Sequence, residues 1–221
     1  MFRPNRPSLH HFACVLLMAT AATGLISCGG DDDKKSGGAG DKAKAVEKAF
    51  LTGMVHHHES AIEMAQIAEE RSDDPFVKKL AGDIMSTQEQ EIARMEEIYE
   101  RRFGGELKPN PTAHDGLGLT AEEAGMTHSP KINEMLRAAK PFDRAFVDEM
   151  VPHHVGAVKM AKVVLESTKD APLRKLAEGI VSTQEREIME MNGFRTKKFG
   201  GPAPEGAGHG TGSEGGMPHE K

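Results

Sequence analysis

Apolar and small residues recur along most of this chain at steps of three and four. Met54, His57, Ala61 and Met64 fall on one line of a helix, and Leu80, Ile84, Gln88, Glu91 and Met95 fall on another. Between the two runs, Asp74-Pro75 puts a capping carboxylate before a proline at the first helical position, and Gly104-Gly105 stops the second run. The pattern then returns. Asp170-Ala171-Pro172 and Gly200-Gly201 repeat the punctuation, and residues 50–104 and 146–200 align without a gap at a shift of 96, with about 23 of 55 positions identical. The spacing predicts helices over 43–71, 74–103, 142–168 and 171–199. Each copy is an amphipathic helical hairpin (43–104 and 142–200), and two such hairpins bury their apolar lines most simply against each other. The expected fold class is therefore all-α, a four-helix bundle built from two repeated hairpins. The connection over 105–141 is long for a bundle and contains a short helix over Pro130–Ala139 behind Ser129. Residues 201–221 lack any apolar period and are expected to be disordered.

The first residues have a different logic. Arg3 and Arg6 precede an apolar or small stretch from Phe12 to Ile26, which ends in Leu25-Ile26-Ser27-Cys28 before two glycines. This is the pattern of a secretion signal with a lipoprotein cleavage box, so residues 1–27 are expected to be removed and Cys28 to carry lipid. Residues 28–42, with Asp31 to Asp33 and several glycines, are expected to form a flexible tether. The implied location is the cell envelope outside the cytoplasm, anchored to a membrane through Cys28. Cleavage removes Cys14 and two arginines but no acid, taking the formal charge from -6 to -8 and leaving no thiol free to bind a metal. That charge also argues against a nucleic-acid partner, because phosphate neutralisation needs a basic face. Protein partners are not indicated.

Composition sharpens the chemistry. Thirteen methionines and eleven histidines stand beside no tryptophan and one tyrosine. Met54 with His57 and His58 recurs as Met150 with His153 and His154; His56 adds a third histidine to the first copy, and Met64 and Met160 follow one turn on. Neighbouring helical residues point about 100° apart, so one histidine of each pair is expected on the seam and the other at its border. Gln88, Glu91, Gln184 and Glu187 occupy seam positions of the partner helices and are the expected orienting partners of the imidazoles. Imidazole and thioether together suit copper or another late transition metal, either as Cu+ or as Cu2+. The simplest alternative is a set of His–Glu and His–Gln hydrogen bonds that fix register. The motif Gly-Met-x-His also places Met126 and His128 in the connection and Met217 and His219 in the tail, as auxiliary metal-capturing residues on mobile segments. Pro152 falls within the third helix, where it kinks the backbone and makes the two sites unequal. Met85, Met95, Met135, Met189 and Met191 are read as core fillers.

These blocks resemble the domain of unknown function 305 family, on Phe146, Met150, Pro152, His153, His154, Ala157, Met160 and Ala161, then Gln184, Glu187, Ile188 and Met191, with Phe50, Met54, His57, His58, Ala61, Met64, Ala65, Gln88, Glu91, Ile92 and Met95 in the first copy. The resemblance implies a ferritin-like four-helix fold and, from characterised relatives, periplasmic copper binding linked to copper tolerance. The chain departs from the family at His56, where proline is usual, and at Ile98 and Phe194, where tryptophan is usual. The expected function is sequestration or transfer of copper without turnover. The enzymatic alternative is a di-metal carboxylate oxidase, which needs a carboxylate from each of four helices; Glu59 and Glu63 align with Val155 and Lys159, so the repeat does not supply a matched set. The third alternative is a metal-free envelope interaction module.

Overall fold

A computed structural model describes residues 37–204; the signal segment, Cys28, most of the tether, Met217 and His219 lie outside the described residues. The elements are α1 (Gly37–Arg71), α2 (Pro75–Phe103), α3 (Pro130–Ala138), α4 (Phe142–Ser167) and α5 (Ala171–Phe199), with a short 3-10 turn at Ala113–Leu117. The caps explain the boundaries. Asp74 accepts a hydrogen bond from the Phe76 amide at 2.9 Å, and Asp170 accepts one from the Leu173 amide at 3.0 Å, each satisfying a donor that the first helical turn leaves free. Gly104 and Gly200 both close their helices at φ +74°, a conformation that costs a side-chain-bearing residue. Two ends differ from expectation. Residues 37–42, expected in the tether, are the first turns of α1. At the other end, Ala203 is buried and its amide donates to Asn192 Oδ1 at 2.9 Å, so the first residues after α5 are packed rather than disordered.

α1 packs on α2 and α4, and α5 packs on α4 and α2, giving a square of helices with antiparallel neighbours. The apolar residues separate into two clusters. One holds Phe50, Met54, Met95, Met160, Val164, Leu173 and Ile180; the other holds Met64, Ile67, Val77, Ile84, Phe146, Met150 and Met191. Each cluster draws on all four helices, and the polar residues from the middle of each helix form the layer between them.

Both ends of the bundle are tied by related ionic clusters. Glu47 at the start of α1 is almost fully buried, accepts two hydrogen bonds from Arg102 at the end of α2, and accepts one from Thr168 in the α4–α5 turn at 2.8 Å. At the other end Asp143 of α4 meets Lys198 of α5 at 2.9 Å and Ser72 of the α1–α2 turn at 2.6 Å. Each hairpin therefore closes on the turn of the other. Of the methionines read as core fillers, Met95 and Met191 are fully buried and Met85 is partly so, but Met135 and Met189 are exposed. Their helical spacing was correct and their face was not: Met189 belongs to the solvent side of α5.

The connection between hairpins is a packed strap. Its 3-10 turn rests on α1, where a Cβ on Gly53 would stand 2.9 Å from Ala113 Cβ. Further on, its backbone at Ala124 and Gly125 presses on α4, so that a Cβ on Gly156 would stand 2.3 Å from three of its atoms. Gly156→Ala is expected to lower the unfolding free energy by about 1–3 kcal/mol through overpacking against backbone. Gly179→Ala, in α5 with nothing within 4 Å, is expected to raise it by about 0.5–1 kcal/mol. Urea denaturation of the two variants measures both signs.

Candidate metal centre

The middle of the bundle holds four imidazoles. His57 and His58 come from α1, and His153 and His154 from α4, and all four are buried. Consecutive residues on a helix diverge by about 100°, and the bundle uses both directions. His57 and His153 face each other across the α1–α4 contact, with ring centroids 3.7 Å apart and planes tilted by 40°. His58 and His154 turn toward their own hairpin partners, His58 to Glu91 of α2 and His154 to Glu187 of α5. The expected border position for the second histidine of each pair is thus replaced by full burial, because the partner helix covers it.

Every Nε2 in the layer is engaged. Those of His58 and His154 lie 2.8 and 2.9 Å from carboxylate oxygens of Glu91 and Glu187, which can only accept. The His57 Nε2 donates to the His153 carbonyl at 3.0 Å. Ser60 Oγ donates to the His57 carbonyl at 2.8 Å and therefore accepts from His153 Nε2 at 2.7 Å. In all four rings this network places the proton on Nε2 and leaves the lone pair on Nδ1. None of the four Nδ1 atoms has a hydrogen-bond partner, and none reaches solvent. Gln88 and Gln184 are likewise buried with both amide ends unpartnered. Buried polar atoms left in this state cost about 1–3 kcal/mol each, so a layer holding several of them has room for a ligand to stabilise it.

Thioethers bracket the imidazoles. Met54, Met64, Met150 and Met160 are all buried; Met54 and Met160 belong to the apolar cluster on one side of the layer, Met64 and Met150 to that on the other. Each side thus receives one methionine from each hairpin. Among the described residues no group of three or more His, Cys, Asp or Glu side chains is already arranged around one point. Four imidazoles with unpartnered Nδ1 atoms, carboxylates behind two of them and four thioethers nonetheless form a donor set that fits a soft or borderline late transition metal.

The halves differ in detail. His56 is half-buried on α1, whereas Pro152 at the matching place is buried inside α4 and removes one helical hydrogen bond. Ser60, which anchors His153, matches Gly156, which admits the strap. Sequence reasoning missed Ser60, which is one of several positions where the two copies differ between the paired histidines and the following methionine. The strap also corrects the reading of Met126 and His128 as mobile. Met126 packs against the apolar cluster of Met54 and Met160, and His128 brings its ring to 6.5 Å from His153, edge to face. Gly125, at φ +65°, is the turn that allows this; a Cβ there would stand 2.8 Å from the His153 carbonyl oxygen.

The chain belongs to the family described as Domain of unknown function (DUF305), whose model matches residues 47–195. Among solved structures it is similar to CopM in the Cu(I)-bound form, at 29% identity and a TM-score of 0.59 over 70% of this chain and 98% of that one. CopM has also been solved in Cu(II)-bound and Ag-bound forms. A putative secreted DUF305 protein from Streptomyces coelicolor is similar at 26% identity and a TM-score of 0.64, over 73% of this chain and 98% of that one. A curated relative, Uncharacterized protein L153 of Acanthamoeba polyphaga mimivirus, is 41% identical over 50 residues, 23% of this chain; the match spans about a third of that protein.

Burial holds His57 and His153 well below the ordinary imidazole value of 6.5, reinforced by neighbouring rings, chiefly His58 for His57 and His57 for His153. The unfolded chain takes up protons below about pH 6.5 that these folded rings refuse, so their contribution to stability is complete above that pH and is lost as pH falls. Each ring is expected to contribute up to about 1.4 kcal/mol per pH unit in that window. Urea midpoints of the metal-free protein at about pH 7.5 and about pH 5 are expected to show the drop, and the double variant His57→Asn, His153→Asn to show a smaller one.

Proposed function

We propose that this protein binds copper, as cuprous or cupric ion, in the layer between its two apolar clusters, and that it sequesters or transfers the ion without turnover. The observation that carries this reading is the set of four buried Nδ1 lone pairs, each oriented by a partner on the opposite ring nitrogen. The copper- and silver-bound forms of CopM support it through likeness of fold. His57, His58, His153 and His154 would hold the ion together with Met54, Met64, Met150 and Met160, with His56 at the rim of the first copy. Glu91 and Glu187 would raise the basicity of the imidazoles they accept from, and Gln88 and Gln184 would turn an amide toward the ion or toward water on it. A copper ion here supplies soft Lewis acidity to thioethers and borderline acidity to imidazoles.

The same reading places the protein outside the cytoplasm, exported by residues 1–27 and held to a membrane by lipid on Cys28, with Met217 and His219 of the tail as further capturing groups. Among the described residues no helix is long and apolar enough to cross a membrane.

Titration of the purified protein with cuprous ion against a competing chelator tests the site. Binding tighter than micromolar is expected, along with its loss when all four buried histidines become alanine. Glu187→Gln, which keeps the shape but weakens the acceptor behind His154, is expected to reduce affinity about 10–100-fold. Unchanged affinity in the fourfold variant overturns the assignment.

A further inference from the structure

Beside the layer, the strap assembles a second set of donors that the repeat does not contain. Glu63 of α1, His128 of the strap and Asn133 of α3 meet on the outer face of α1. Asn133 Nδ2 donates to Glu63 Oε2 at 2.8 Å, which leaves the buried Asn133 Oδ1 with no donor. His128 Nε2 is also buried without a hydrogen-bond partner, and stands 3.8 Å from the same Glu63 oxygen. The imidazole side chain is 9% exposed and the carboxylate 58%, so the nitrogen forms the floor and the carboxylate the solvent side. Asn133 interacts with the same ring through its side chain.

The spacing is informative. A separation of 3.8 Å is too long for a hydrogen bond between imidazole and carboxylate. Two donors bound at about 2.0–2.1 Å to one ion lie about 2.9 Å apart at a right angle, about 3.4 Å apart at a tetrahedral angle and about 4.1 Å apart when opposed, so one ion can bridge a separation of 3.8 Å. One nitrogen and two oxygens, with the nitrogen and the amide oxygen both lacking a hydrogen bond of normal geometry, favour a borderline divalent ion over a monovalent soft one. The second half of the molecule has Lys159 where Glu63 stands and no counterpart of the strap, so the arrangement occurs once.

We propose that Glu63, His128 and Asn133 form an outer cation site, distinct from the histidine layer, that takes cupric ion or a divalent ion of the same class with water completing its shell. A cavity of about 20 Å³, walled by Met64, Gly125, Thr127, His128, Pro152 and His153, lies between this site and the layer. That volume suits a single water or small ion. An ion at the outer site is therefore one ring away from His153, on the side of α4 that Pro152 and the strap shape.

Titration of the purified protein with cupric ion, counted by electron paramagnetic resonance under chelator competition, tests the site. Glu63→Gln and His128→Ala are each expected to weaken one equivalent about 10–100-fold and change its spectrum, while Glu59→Gln, an exposed carboxylate one turn earlier, leaves it unchanged. Glu63 is largely solvent-facing, so its variant keeps the fold, and matching thermal melts check this. In the protein with all four layer histidines replaced, the outer equivalent is expected to persist. Retention of wild-type count and spectrum in both site variants overturns the outer site alone, and a wild-type protein that takes up no cupric ion overturns it as well. Loss of cuprous binding with survival of the outer equivalent would instead confine the failure to the layer.

Discussion

Four imidazoles buried together impose the constraint from which the rest of this structure follows. A neutral imidazole has one donor and one acceptor, and inside a protein each must be satisfied or left at a cost. Here the donors are all satisfied, by Glu91, Glu187, the His153 carbonyl and Ser60. The acceptors are all left over. The bundle holds this unbalanced layer because apolar clusters drawn from all four helices close it on both sides, and because Glu47 with Arg102 and Asp143 with Lys198 tie each hairpin to the turn of the other. A ligand that accepts the lone pairs stabilises the folded state by mass action, which couples occupancy of the layer to stability.

Duplication accounts for the framework, and departures from it account for what is specific. The facing pair His57 and His153 lies where the halves meet, and each is followed on its helix by a histidine paired with a glutamate. Three exchanges then break the equivalence. Ser60 against Gly156 gives one half a hydroxyl anchor and the other a groove for backbone; His56 against Pro152 gives one half an extra ring and the other a helix that lacks one backbone donor; Glu63 against Lys159 gives one half a carboxylate beside the strap. Gly156 and Glu63 both meet the strap, so the single connection adds to the asymmetry between the two copies.

Much of this was legible in the sequence because it depends on local periodicity. The caps at Asp74 and Asp170, the stops at Gly104 and Gly200, and the seam of Met54, His57 and Met64 are set by spacing within a helix. The pairing of His58 with Glu91 and His154 with Glu187 follows from two seams facing each other across a hairpin. Other features were not legible because they depend on distance in space between segments far apart in the chain. The strap reads as a Gly- and Pro-rich linker until Gly156 gives it a surface to dock on, and only then do Met126 and His128 become packed residues. Met189 and Met135 share the helical spacing of core residues but sit on the solvent side, a distinction that composition does not carry.

The central claim is that the protein fixes the tautomer of its four buried histidines, with the proton on Nε2 and the lone pair on a buried, unpartnered Nδ1. Nitrogen-15 chemical shifts of the imidazole rings in the metal-free protein at neutral pH measure this directly. The account predicts a protonated Nε2 and an unprotonated Nδ1 in His57, His58, His153 and His154. Protonated Nδ1 in these rings, or shifts averaged as in freely exchanging solvent-exposed imidazole, would contradict it.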